Sequence, residues 1–174
     1  AGGRRARRGP RGGCLSATAA SVSVRLANAA DVDRIVDLAA AFRDDLELPG
    51  PADDEMRHRL PALLFEAATE FLLAEDDDGN ALGFLQIRYR DSLWYGGDAE
   101  VEDLFVVASA RRRGVGRQLL SHALERARTR GCRHLGLNTN ENNAAALVLY
   151  GSFGLDGRRR RWQGGRQVWI DREI

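Results

Sequence analysis

The sequence predicts one α/β domain, a mixed β-sheet with helices on both faces, in the order β-α-α-β-β-β-α-β-α-β-β. Three observations carry that expectation. Short apolar runs rich in β-branched and aromatic residues alternate with stretches whose apolar positions recur every three to four residues. A length of 174 residues suits a single domain with a sizeable core. At the centre, a strand-length run (Val101–Val107) passes through a basic, glycine-punctuated turn (Arg111–Gly116) into a helical stretch from Arg117 onward.

Composition narrows the function classes. The formal charge is +1, but residues 1–13 hold five arginines and no acid. With those five set aside, 26 basic residues become 21 against 25 acidic ones, a net of −4. The bulk of the chain is therefore mildly acidic, which favours cationic partners over nucleic acid. A nucleic-acid contact would rest on residues 1–13 and Arg158–Arg161 by charge alone, without interleaved aromatics. Cys14 and Cys132 make no disulfide framework, and His58, His122 and His134 are scattered singly, so no metal is expected. No apolar run approaches the roughly 20 residues of a membrane span. These features are the expectation for a cytoplasmic chain.

In order, residues 1–20 read as a disordered Arg/Gly-rich leader ahead of a domain spanning 21–174. Leu15–Val24 imitates a secretion signal, but it is rich in Ser and Thr, and Ala17-Thr18-Ala19 precedes any real hydrophobic core. Ser21–Leu26 alternates apolar and polar residues as a first strand. Asn28 or Asp31 can cap a helix with apolar face Val32, Ile35, Val36, Ala39 and Ala40, which stops before Leu48-Pro49-Gly50-Pro51. Asp53–Ala68 is a second helix, in which Pro61 predicts a kink or a split. Glu70–Glu75 and Ala81–Arg90 are strands joined by the hairpin signal Asp76-Asp77-Asp78-Gly79-Asn80. After the central unit, Gly131 closes the helix. Cys132–Asn138 is a strand and Glu141–Tyr150 a short helix. Arg158–Trp162 and Gln167–Ile174 make a terminal hairpin over Gly164-Gly165.

The central unit carries chemistry. A strand, a glycine turn and a helix place free N–H groups at the positive end of a helix dipole, a geometry that binds phosphate. Gly114 and Gly116 let the main chain approach an anion, and Arg111, Arg112, Arg113 and Arg117 add charge. An ordinary turn with a solvated basic rim would look the same in sequence. A P-loop is excluded because the chain has no lysine, and a dinucleotide fingerprint because no third glycine stands in register. Asn143, Ala146 or Leu147, and Tyr150 fall on one helical face, presenting an amide beside a phenol.

Together these stretches resemble the GCN5-related N-acetyltransferases. Arg111-Arg112-Arg113-Gly114-Val115-Gly116 fits that family's Arg/Gln-x-x-Gly-x-Gly/Ala loop, and Asn143-Ala-Ala-Ala146-Leu-Val-Leu149-Tyr150 its second signature. Gly154-Leu155 departs from the Gly-Phe that usually follows. The resemblance covers about Ser21–Ile174. It implies acetyl-CoA as cofactor, with binding residues Leu104, Phe105, Val106, Arg111, Arg112, Arg113, Gly114, Val115, Gly116, Arg117, Asn138, Asn143 and Tyr150. Acetyl transfer to an amine requires a base for the ammonium, donors for the developing oxyanion and an acid for the leaving thiolate. Glu102 is the candidate base, through a water, with Glu100 as fallback; Asp103 is expected on the opposite face because strand side chains alternate. Tyr150 is the candidate acid. Backbone N–H groups around Leu104–Val106 would hold the acetyl carbonyl and pantetheine if the strand splays there, as through a β-bulge.

Trp94-x-Gly96 followed by Val101-Glu102-Asp103-Leu104-Phe105-Val106 is similar to the diamine acetyltransferases, which points to a small primary amine such as a polyamine and implies a homodimer. In that reading Trp94, Glu100 and Glu102 face the acceptor, and the acidic runs Asp44-Asp45-x-Glu47 and Asp53-Asp54-Glu55 suit a polycation. Acceptors of other kinds (a protein N-terminus, a lysine, an aminoglycoside) and a non-catalytic acyl-CoA-binding module stand as alternatives.

Overall fold

The computed structural model describes residues 21–93, 96–155, 161–162 and 165–166. Within them a five-stranded sheet, in the spatial order β1-β2-β3-β4-β5, carries α1 and α2 on one face and α3 and α4 on the other. Its strands are β1 (Val22–Leu26), β2 (Thr69–Asp76), β3 (Ala81–Ser92), β4 (Gly96–Val106) and β5 (His134–Leu137). The helices are α1 (Val32–Asp45), α2 (Asp53–Phe65), α3 (Val115–Thr129) and α4 (Ala144–Gly151). The first four strands are antiparallel neighbours, and β5 joins β4 in parallel. The expected order of elements therefore holds as far as the described residues reach.

Alternation along β2 shows why the chain folds this way. Leu72 and Ala74 point into a cluster with Leu85, Ile87, Val101, Val115, Leu119, Leu120 and Tyr150. Phe71 and Leu73 point into a second cluster with Ile35, Val36, Leu38, Leu60, Phe84 and Phe105. Each large side chain fully buried this way contributes roughly 1.5–3 kcal/mol. The sheet is thus apolar on both sides, and a polar residue on an inner strand stands out.

Local signals set the ends. Asn28 and Asp31 form a reciprocal capping box ahead of α1: the Asn28 side chain accepts from Ala30 N–H, and Asp31 accepts from Asn28 N–H. α2 runs through Pro61 without splitting and stops at Phe65, three residues short of the expected end. Gly131 (φ 74°) follows the last turn of α3 as expected of a helix stop. The C-terminal ladder differs from expectation. Arg161 pairs with Arg166 and Trp162 with Gly165 in a separate two-stranded sheet, so Gly165 sits in a strand and not in the turn. The rest of that hairpin, the leader 1–20 and Trp94 lie outside the described residues.

Candidate active site

The site begins with a fault in strand register. On β3 and β4, Gln86 lies opposite Asp103 and Ile87 opposite Val101, which leaves Glu102 as the extra residue of a β-bulge. Residues opposite each other in an antiparallel pair share a face. Val101 and Leu104 therefore face the α3 cluster with Ile87 and Leu85, while Asp103 and Phe105 face α1 with Gln86 and Phe84. The expectation that Asp103 points away from Glu102 is overturned: the bulge resets the alternation and puts both carboxylates on the α1 side.

Glu102 is held there by β3. Gln86 donates from Nε2 to its Oε2, Arg88 Nη2 donates to the same oxygen at 3.3 Å, and Arg88 Nε lies 2.7 Å from Oε1. Glu100, the fallback base, is ion-paired to Arg90 and accepts from Asn138 Nδ2 at 3.1 Å. Asp103 differs from both. Among the described residues no arginine pairs with it, and burial, followed by the charge of Glu102, pushes its carboxyl above the ordinary value.

The glycine turn builds an anion cradle. Arg112 (φ 65°) and Gly114 (φ 86°) are left-handed, a backbone pattern of anion-binding nests. The N–H groups of residues 112–117 make no hydrogen bond of ordinary geometry to a protein acceptor among the described residues; the first donor in α3 is Gln118, to Gly114 at 3.0 Å. No side chain caps α3. A Cβ on Gly116 would meet Leu149 Cδ2 at 3.4 Å, an ordinary contact, so α3 begins packed against α4 with room for little more than a methyl group.

Not every predicted arginine lines this cradle with its charge. Arg111 donates to the Val106 carbonyl at 3.0 Å and to Asp45 at 2.9 Å, and it lies over the Phe105 ring. Arg117 donates to Ser152 Oγ at 3.0 Å and stacks on Phe153. These two brace the loop, and the exposed Arg112 and Arg113 remain for a ligand. Asn143 also has a structural duty: its side chain caps α4 by accepting from Ala146 N–H at 3.1 Å. Tyr150 is buried in the α3 cluster, where desolvation raises its phenol above the usual range.

The two halves of the site meet at a gap in the sheet. β5 pairs with β4 only from Asp98 to Val101, after which β4 continues to Val106 with no neighbour on that side among the described residues. Glu102 is the first residue past the pairing. It stands on the α1 face, and Tyr150 stands on the α3 face. The carboxyl ends of parallel strands that part like this form a crevice that accepts ligands.

The sequence pattern of the acetyltransferase (GNAT) family matches residues 34–155. This chain belongs to the GNAT family. It is 44% identical over 82 residues to aminoglycoside N(6′)-acetyltransferase type 1 of Klebsiella aerogenes, covering 45% of this chain and 54% of that protein. It is 35% identical over 89 residues to streptothricin acetyltransferase of Streptomyces lavendulae, covering 51% of this chain and 46% of that protein. The chain thus spans about half the length of the curated relatives it matches. An aminoglycoside N-acetyltransferase solved in complex with CoA superposes with a TM-score of 0.72 at 22% identity, covering 88% of this chain and 95% of that one, a likeness that shows the fold.

GNAT acetyltransferases use acetyl-CoA, and the residues present fit it. Six consecutive open amides at an uncapped helix start suit a pyrophosphate, and the open edge of β4 suits an extended arm carrying amide groups. The acidic runs fit a polycation less well than expected. Asp44 and Asp53 pair with Arg43, Asp54 with Arg57, Glu55 with Arg59 and Asp45 with Arg111. Gln86 and Arg88 were not singled out from sequence, although a signal was there. In β3, Gln86, Arg88 and Arg90 alternate with Leu85, Ile87 and Tyr89, marking one polar stripe on an otherwise apolar strand.

Proposed function

We propose that this GNAT-family chain transfers an acetyl group from acetyl-CoA to a primary amine of a small molecule. The observation that carries the reading is the run of open N–H groups at 112–117, set beside the β4–β5 gap with a carboxylate on one face and a phenol on the other. Acetyl-CoA, when bound, supplies an activated thioester. The amides of 112–117, with Arg112 and Arg113, would hold its pyrophosphate, and the open edge of Leu104–Val106 would align its extended arm. Glu102, kept in place by Arg88 and Gln86, draws the acceptor's ammonium and removes its proton through a water. Tyr150, kept protonated by burial, donates to the sulfur as it leaves.

Relatives named for aminoglycosides and streptothricin support a small-molecule amine as acceptor. A panel of aminoglycosides, polyamines and peptide N-termini, incubated with the chain and acetyl-CoA, tests this by thiol release. Release with at least one small amine is expected. A protein that binds CoA but releases no thiol above background with any of them would overturn the reading. The expected homodimer is checked by sedimentation of the same preparation.

A further inference from the structure

One carboxyl in this site has no part in the reading above. Resting on that reading, we infer that the acceptor's proton, drawn off through the water at Glu102, comes to rest on Asp103, so that the two carboxylates at the bulge act as a dyad. Glu102 positions the water and Asp103 carries the proton.

Register is the first reason. Because Glu102 is the extra residue, Asp103 lies opposite Gln86 and so on the same side as the group that holds Glu102. Environment is the second. Gln86 Nε2 and Arg88 Nη2 both donate to Glu102 Oε2, and Arg88 Nε lies 2.7 Å from Oε1, so the Glu102 carboxylate is fixed in place by β3. Asp103 has no such cation among the described residues. It sits beside the Glu102 charge and next to the apolar cluster of Phe84, Phe105 and α1, where its own charge is disfavoured.

Among the described residues, the charged groups around the pair are Arg88 from β3 and the Glu100–Arg90 pair further along the strands, and Glu66 at the end of α2 acts on Arg88. In the step itself, an N–H bond of the ammonium breaks, its proton moves through the water to the Asp103 carboxylate, and the nitrogen lone pair is freed to attack the acetyl carbonyl. Asp103 returns the proton to solvent after turnover, which balances the one proton the overall transfer releases.

Two measurements test this on the full chain. Carboxyl-carbon NMR titration of labelled aspartates should show Asp103 titrating above the ordinary carboxylate range. Glu102→Gln, by removing the neighbouring charge, should lower its proton affinity roughly tenfold. In the pH profile of kcat/KM, Asp103→Asn should remove the acidic limb and cut the rate about 100-fold, and Asp103→Glu should restore part of it. CoA affinity in Asp103→Asn should stay within about twofold of the parent, which separates lost chemistry from misfolding. An Asp103 that titrates normally and ignores Glu102→Gln, or an Asp103→Asn variant with the parental acidic limb and rate, overturns the inference. A coupled titration in a chain that acetylates no amine would uphold the dyad while the acetyl-transfer reading fell.

Discussion

Two carboxylate clusters on the same sheet are built in opposite ways. At one end Glu70 is buried and saturated. It accepts from Tyr89 Oη at 2.8 Å, from Arg126 Nε at 2.9 Å and from Arg130 Nη2 at 2.8 Å, and Arg130 also stacks on the Tyr89 ring. At the β4 bulge, Glu102 is held by one arginine and one amide, and Asp103 has no cation among the described residues. Burial, nearly complete at Glu70 and partial at Asp103, raises the proton affinity of both carboxyls. At Glu70 the hydrogen bonds from Arg126, Tyr89 and Arg130 outweigh it, and the net shift is downward. At Asp103 nothing opposes burial, and the shift is upward. A saturated buried charge serves structure; one left short of partners is available for chemistry.

The contrast can be broken at several points, and the largest effect belongs to the saturated cluster. Glu70→Ala should cost about 3 kcal/mol in urea unfolding, at the low end for a broken buried pair because both guanidinia are one-third exposed and can rehydrate. It should leave CoA binding unchanged. Tyr150→Phe should do the reverse, lowering kcat about 100-fold, or about 2.7 kcal/mol, with CoA affinity and stability nearly intact. Full turnover in that variant would remove Tyr150 from the acid role. Gly116→Val should weaken CoA about tenfold, close to 1.4 kcal/mol, because the new side chain meets Leu149 and Val106 at the mouth of the cradle.

Two pH experiments sharpen the comparison further. Asp31 belongs to a second saturated cluster: the hydrogen bond from Arg25 brings its carboxyl from 3.8 down to about 2. The stability it contributes is complete above 3.8 and lost as pH falls through about 2, so Asp31→Asn should flatten the acid side of the stability curve in that window. Asp103 has the opposite sign. Its folded-state affinity for the proton exceeds that of the unfolded chain, so its contribution is present at low pH and lost as pH rises through the raised pKa. At neutral pH the carboxylate therefore costs stability, and Asp103→Asn should raise Tm by about 1–3 °C while impairing the reaction.

Much of the site was legible before any coordinates. The strand, turn and helix around Gly114 and Gly116 follow from apolar run length and glycine spacing, and the short helix carrying Tyr150 from its apolar face. Other local contacts were not legible, for identifiable reasons. That Asn143 caps α4 through the bond from Ala146 N–H is seen only in the structure. The ion pair of Arg111 with Asp45, 66 residues earlier in sequence, was not legible from the turn alone.

By itself the sequence determined the order of elements, the two apolar faces of the sheet and the position of the anion cradle, because these depend on patterns a few residues long. Tertiary structure alone decided which way the carboxylates point. Pairing β3 against β4 requires Phe84 to meet Phe105 on one side of the bulge and Ile87 to meet Val101 on the other, and these two registers differ by one residue. The sheet takes up that difference at Glu102, and Asp103 is thereby turned to the α1 face. No local pattern in β4 records a mismatch that exists only between two strands.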